Sequence, residues 1–379
     1  DNDGDGYYNW GIGEKPPTCP ESTPEEEDCD DSNPALGPYD KCYHCVKLPN
    51  AVEDVVSRGR NPDIILDESD NPIIAFGGYS ASQTIGCAVK EGEEWNVTYI
   101  ADEEASTGGN FPCLVQSGDE VGIIYDIPGT MRKLRFTIKS GDTWAEPVDV
   151  TPYHSQRCSA TVDDEGVIHL AYIGDVEPSS FFNYGVYTQR IGDAWSTPTR
   201  FSNNTTVEAI SMDKTSTGPC VAYIQTTPIR VMYTYHNGSD WVTQEVSEVW
   251  HVGGTNNISL AVGPGNIIHI AYYSASTRDI RYTFFDGEEW STPAIVDGDT
   301  SRELSIDVAS DGTPRICYRK GGDIIYAWPK PDGDWGKYLV AQNVGNHGRI
   351  VMKLDNQDKP HIVFADETTG NVRYATTRE

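Results

Sequence analysis

From residue 57 to 379 the chain runs in short alternating apolar and polar stretches, each stopped by a turn of Gly, Asp, Asn or Pro, and no helical period competes. Each unit follows the same internal order. A first alternating run, such as 258–262, 304–308 or 350–354, is followed by a second that closes on an aromatic residue. That residue is Phe76, Tyr125, Tyr172, Tyr223, Tyr272, Tyr318 or Phe364, which makes seven copies. A third run carries Leu134–Phe136, Val231–Tyr233, Ile280–Tyr282, Ile324–Tyr326 or Val372–Tyr374. A Gly-x-x-Trp turn then leads into a fourth run, as in 290–296.

The tryptophans of that turn (Trp95, Trp144, Trp195, Trp241, Trp290 and, in a shortened copy, Trp335) are spaced 49, 51, 46, 49 and 45 residues apart. This period is expected when each unit is one four-stranded propeller blade. Gly permits the turn, and Trp begins the last strand with a large apolar surface to bury between blades. The seventh unit stops after its third run, which would leave a sheet edge unpaired. Residues 46–56 read like a fourth strand and are expected to close the ring. The fold class is therefore all-β: a seven-bladed β-propeller over 46–379, preceded by a short irregular module over 1–45.

Composition narrows the partners. Against 58 acidic residues stand 28 basic ones, a formal charge of −30. Such a field repels nucleic acid and anionic membrane, and no apolar run approaches the roughly 20 residues of a membrane span. The chain begins at Asp1 without Met, so removal of a signal peptide or upstream region is expected. Four of the nine cysteines (Cys19, Cys29, Cys42 and Cys45) fall in the core-poor leader, which argues for disulfides and an oxidising compartment. Cys42-x-x-Cys45 also has the spacing of a zinc or redox pair, but its acidic, proline-rich surroundings weaken that reading. Cys113 and Cys158 begin the first strands of neighbouring blades, where a bridge is geometrically allowed. Cys87, Cys220 and Cys317 fall within strands and read as buried thiols.

The leader opens with carboxylates at alternate positions, Asp1, Asp3 and Asp5, followed by Gly6 and Tyr7. Alternation aims the side chains at one point, Gly6 allows a sharp turn, and the Tyr7 carbonyl adds a ligand, as at the start of a calcium loop. Ile12 stands where an EF-hand would carry its Glu, so Asp28, Asp30 and Asp31 are the expected suppliers of the remaining charge. The pair Asp-x-Asp-Gly-Asp-Gly-Tyr and Asp-Cys-Asp-Asp-x-Asn-Pro resembles a metal-binding motif repeated on bacterial surface proteins and, more distantly, thrombospondin type-3 repeats. The resemblance covers about the first 40 residues and implies those six aspartates as calcium ligands. Hard oxygen donors favour calcium over copper or zinc.

The propeller repeats resemble the sialidase-like, BNR-type repeats of secreted bacterial proteins. The Asp-box pattern Ser-x-Asp-x-Gly-x-x-Trp is not intact in any copy, the nearest being Ser140–Trp144. The group holds glycosidases, polysaccharide lyases, lectins and non-catalytic scaffolds, so fold alone does not choose. One constellation stands out. The segments entering each first strand open on one face and carry Arg60, His154 with Arg157, Trp250 with His251, Arg302, and His347 with Arg349. In so acidic a chain this rim would seat a carboxylate or sulfate, with the aromatic stacking on a sugar. The plainer alternative is local pairing with Asp63, Glu303 or Asp307. His169, His269 and His361 share one strand position, as do Arg135, Arg281 and Arg373, which points to packing.

The leading expectation is a secreted, calcium-stabilised propeller without enzymatic activity, acting as an extracellular surface, adhesion or self-assembling module. The alternatives are a glycan-binding, lectin-like propeller, or an anionic-polysaccharide lyase or glycosidase that uses the Arg/His rim.

Overall fold

The computed structural model describes residues 47–49, 51–105, 108–129, 132–141, 143–178, 182–203, 205–248, 257–331 and 333–377. The leader candidates Asp1, Asp3, Asp5, Tyr7, Asp28, Asp30 and Asp31, the cysteines Cys19, Cys29, Cys42 and Cys45, and the rim pair Trp250 and His251 lie outside the described residues.

Seven antiparallel sheets follow one another in chain order. Blade 1 runs from Arg60–Leu66 at the axis through Pro72–Ser80 and Gln83–Glu91 to Glu94–Ile100 outside. Blades 2 to 6 begin at Asn110, Ser155, Val207, Ile258 and Leu304. Blade 7 consists of Ile350–Leu354, Pro360–Asp366 and Asn371–Thr376, and its outer strand is Ala51–Val56, paired antiparallel from Ala51 with Thr376 to Val56 with Val372. The first and last parts of the propeller thus share one sheet, so the closing seam is held by a hydrogen-bonded ladder.

The core lies between blades rather than in one centre. Each of the seven apolar clusters joins two neighbours, for example Ile258, Leu260 and Tyr272 of blade 5 with Ala222, Val231 and Tyr233 of blade 4. The recurring tryptophans are wedges in these seams. Trp195 meets Phe136 of the preceding blade edge-on at 5.4 Å, Trp241 meets Tyr187 at 5.0 Å, and Trp290 meets Tyr233 at 5.5 Å. Trp335 meets Tyr282 at 5.6 Å, and Trp95 meets Tyr374 of blade 7 at 5.3 Å across the closure. Aromatic pairs favour this geometry, which explains why Trp recurs with the blade period.

The fourth strands depart from expectation in three blades. The run 290–296 forms a strand only from Ala294, and blade 2 keeps only the pieces Thr143–Trp144 and Val148–Asp149. Blade 3 likewise splits into Ala194–Trp195 and Thr199–Arg200. Each of these blades carries proline three residues after its Trp, at Pro147, Pro198 or Pro293, and proline cannot donate to the ladder. Blades 1, 4 and 6 lack it and keep continuous outer strands, Glu94–Ile100, Trp241–Glu248 and Trp335–Ala341.

A second repeated device ties the inner strands. Ser159, Ser211, Ser259 and Ser305 each accept, on the side-chain oxygen, the backbone N–H of the next blade: Met212, Leu260, Ile306 and Met352, at 2.9–3.1 Å. Asp63 does the same for Leu114 at 2.7 Å. At the blade 2 to 3 junction the equivalent residue is Cys113, and it forms a disulfide with Cys158. Cys87, Cys220 and Cys317 are buried free thiols.

The repeated histidines also prove structural. His169, His269 and His361 each place Nδ1 within 2.6–2.8 Å of a third-strand tyrosine hydroxyl, on Tyr187, Tyr282 and Tyr374. Among the repeated arginines, Arg135 pairs with Asp102 and Asp149, Arg281 with Asp279, and Arg373 with Asp54 and Asp366.

Candidate functional site at the channel mouth

The first strands of all seven blades line an axial cavity of about 370 Å³. Its mouth lies where those strands begin, and there the blades cease to be alike. In blades 1 to 4 the first strand enters through a bulge, between Arg60 and Asp63, Asn110 and Cys113, Gln156 and Cys158, and Val207 and Ala209. Blades 5 to 7 enter in unbroken register. The bulge puts Asn61, Phe111 and Arg157 in the left-handed region at φ 46°, 44° and 48°. Three side chains that are not glycine are thus held in a costly conformation at one ring position, a pattern associated with functional surfaces.

Of the candidate rim residues, the structure brings Arg60, Arg157 and Arg349 to the inner mouth. Arg157 stacks on Phe111 at 5.7 Å and donates from Nη1 to the Glu208 carbonyl at 3.2 Å. Its Nε is buried without a hydrogen-bond partner, and burial lowers its pKa from the usual arginine value. Arg349 instead pairs with Asp63 at 3.2 Å and donates to the Pro112 carbonyl, in keeping with the local-pairing alternative. Arg60 lies over Tyr79 at 4.9 Å. His154 is buried, and its pKa is lowered, chiefly by that burial. Arg302 and His347 are exposed at blades 6 and 7, and His347 Nδ1 is 3.9 Å from Glu303. Deeper in the channel Lys353 is held above the ordinary lysine range, first by Asp307 and then, against burial, by Asp213 and Asp63.

Beside Arg157 a second hollow of about 500 Å³ opens between blades 3 and 4, lined by Gln156, Arg157, Asn183, Thr206, Glu208 and Thr226 among others. Gln156 Nε2 donates to Asn183 Oδ1 at 3.0 Å, which orients both amides. Asn183 is flanked by Phe182, 58 % exposed, and by Tyr184, whose ring is 5.5 Å from that of Phe182. Arg200 covers the Tyr184 ring at 4.2 Å and pairs with buried Asp175. Oriented amides, hydroxyls and one guanidinium therefore line one cleft, and the exposed Phe182 is next in the chain to Asn183. That combination suits a polyhydroxylated ligand with an acidic substituent.

Sequence reasoning found Arg157 but missed Gln156, Asn183, Phe182, Thr206, Glu208 and Thr226. One signal was available: the connection between the second and third strands of blade 3, residues 175–183, is longer than its counterpart in any other blade.

No family model matches the sequence, and no curated protein matches it. Solved structures do match in fold. The BP39L lectin from Burkholderia pseudomallei is 10 % identical with a TM-score of 0.63, covering 85 % of this chain and 97 % of that one. A polysaccharide lyase, ulvan lyase bound to -[GlcA(1-4)Rha3S]-, is 13 % identical with a TM-score of 0.60, covering 86 % and 96 %. AofleA from Arthrobotrys oligospora is 14 % identical with a TM-score of 0.52, covering 78 % and 90 %. At such identities the likeness is one of fold.

Proposed function

We propose that this chain is a glycan-binding propeller whose ligand sits in the cleft between blades 3 and 4. One observation carries the reading: the fixed Gln156–Asn183 amide pair and the Arg157 guanidinium line one cleft, and exposed Phe182 is the chain neighbour of Asn183. An aromatic face takes the apolar side of a sugar ring, while the amides and Thr206 and Thr226 take its hydroxyls. Arg157, fixed by its bulge and by Phe111, supplies a cation that need not be reorganised on binding. Two fold neighbours, a lectin and a lyase bound to a uronate- and sulfate-bearing chain, keep such ligands within the range of this scaffold.

The test is a glycan array that includes uronate-containing and sulfated polymers, followed by titration of the best hit. Phe182→Ala and Arg157→Gln should each weaken that hit about tenfold, roughly 1.4 kcal/mol, with the fold intact. Undiminished binding by both variants, or an array with no hit, would end the reading.

A second reading, self-association at a surface, is favoured by the exposed apolar residues Tyr99, Val148, Ile295 and Leu339 on four outer strands. Sedimentation of the purified chain as a monomer up to high concentration removes it. Calcium binding by the leader and an extracellular location rest on carboxylate and cysteine spacing. Isothermal titration with calcium, before and after a chelator, checks the former.

A further inference from the structure

Among the described residues the mouth holds two buried acids with an oxygen that accepts no hydrogen bond, Asp126 and Glu303, and of these Asp126 faces Arg157 of the cleft. Asp126, near the end of the second strand of blade 2, is 2 % exposed, and its Oδ2 accepts no hydrogen bond. Arg132 Nη1 lies 3.6 Å from that oxygen. Arg157 on the neighbouring blade acts on the same carboxyl, so Asp126 faces the bulge that aims Arg157. Arg60 completes a set of three guanidinium groups acting on it from blades 1, 2 and 3. No other blade has an acid here: the equivalent residues are Gly77, Ile173, Ile224, Tyr273, Arg319 and Ala365.

We infer that the inner end of the cleft is an anion seat, and that Asp126 sets its selectivity by offsetting one of the three charges of Arg157, Arg132 and Arg60 when ionised and releasing it when protonated. The ligand class is a sugar carboxylate or sulfate ester. The inference rests on the cleft being a glycan site. Asp126 does not touch the ligand; it acts through Arg157 and is a positioning residue.

Burial outweighs the three arginines and pushes the Asp126 carboxyl up to about 6. As pH falls through that value the carboxyl takes a proton from solvent, the local charge rises by one, and an anion is held more tightly. The groups facing Asp126 are Arg132, Arg157 and Arg60. Beyond them lie His154 with Asp175, and Glu208 beside Arg157. Protonation of His154 would act in the same direction, so it is the rival explanation to separate.

Sodium sulfate serves as the probe, titrated calorimetrically into the full chain at about pH 5 and about pH 7.5 at constant ionic strength. The expected result is about tenfold tighter sulfate binding at the lower pH. Asp126→Asn should bind at both pH values as tightly as the unmodified chain does at the lower one, and His154→Gln should keep the original profile. Reciprocally, saturating sulfate must raise the Asp126 titration midpoint read by carboxyl-carbon NMR, a measurement that needs no variant. The inference is overturned if Asp126→Asn keeps the pH dependence, if His154→Gln removes it, if sulfate leaves the midpoint unmoved, or if sulfate binds at neither pH. Phe182-dependent binding of a neutral glycan would survive any of these failures and leave the glycan reading standing. A pH-dependent sulfate seat without glycan binding would instead end the glycan reading, leaving the anion seat but not a sugar as its ligand class.

Discussion

Blades 2 and 6 make a controlled comparison at one position. In each, the second strand carries a fully buried tyrosine whose hydroxyl bonds to a buried aspartate at the end of the preceding blade: Tyr125 to Asp102 at 2.7 Å, and Tyr318 to Asp297 at 2.8 Å. The next residue differs completely. In blade 6 it is Arg319, fully buried, with Nε on the Gly348 carbonyl, Nη1 on those of Val344 and Gly345, and Nη2 on that of Ala365. In blade 2 it is Asp126, with an oxygen left over and three arginines gathered round. A saturated polar group at a repeated position builds the ring. An unsatisfied one at the same position marks where the ring does something else.

The comparison breaks most directly at Arg319. Arg319→Leu removes a donor from four carbonyls at the blade 6 to 7 junction, of which that of Val344 keeps the Glu367 N–H, and the loss should be about 4 kcal/mol in denaturant unfolding. Sulfate affinity at the cleft should not change in the folded fraction, because blade 6 contributes nothing to it. A loss below about 1 kcal/mol would mean that Arg319 is no more structural than Asp126.

Next in size is the junction beside Asp126. The disulfide between Cys113 and Cys158 replaces the serine-to-backbone bond that holds the junctions from blade 3 to blade 7. Its loss in a Cys113→Ala, Cys158→Ala double variant should cost about 3 kcal/mol. Because Cys158 follows Arg157 directly, sulfate affinity should fall as well, which the Arg319 variant does not produce. Equal sulfate affinity in both variants would separate the disulfide from the site.

Asp126→Asn should move stability the other way. A carboxyl whose folded pKa, about 6, stands above its unfolded value favours folding when protonated and opposes it when charged. The penalty is absent below about pH 4 and complete above about pH 7. The Asn variant should therefore gain about 3 kcal/mol at pH 7.5, with the gain vanishing below about pH 4. A destabilised variant at pH 7.5 would make Asp126 structural, and the contrast with Arg319 would collapse.

These particulars explain what the sequence disclosed. Blade number and order were legible because Gly-x-x-Trp and the aromatic-ended strand are copied, and the copies share one packing role, in which each Trp wedges against the third-strand aromatic of its neighbour. The prolines three residues after Trp144, Trp195 and Trp290 are equally visible, but a strand-forming run on either side of each masks the break it makes in the outer strand. The rim was legible only as a set. Arg157 emerged with Arg349, which serves Asp63, and with His154, which is buried. The cleft was not legible because it is assembled across a seam, from a lengthened loop (Asn183) in one blade and a strand entrance (Thr206, Glu208) in the next. Asp126 was hidden for a related reason: its meaning comes from arginines on three blades, while its own strand reads like any other.

The smallest effect decides whether a repeated position can be called uniform at all. Ser211, Ser259 and Ser305 each accept the N–H of the following blade at 2.9–3.1 Å on strands that enter without a disulfide. Replacing any one with Ala leaves a backbone donor unpaired at a partly buried seam, a loss of about 1 kcal/mol. The three seams share no residues, so the triple variant should lose about 3 kcal/mol, the sum of the singles within roughly 0.5 kcal/mol. Blade 7 already carries Val351 at this position, which shows that the ring tolerates one seam without the bond. Additive and equal losses would establish that the inner strands play the same part blade after blade, making the divergence between Arg319 and Asp126 a true exception. Strongly unequal losses would show that each seam is tuned on its own, and a single unusual acid would then carry no special meaning.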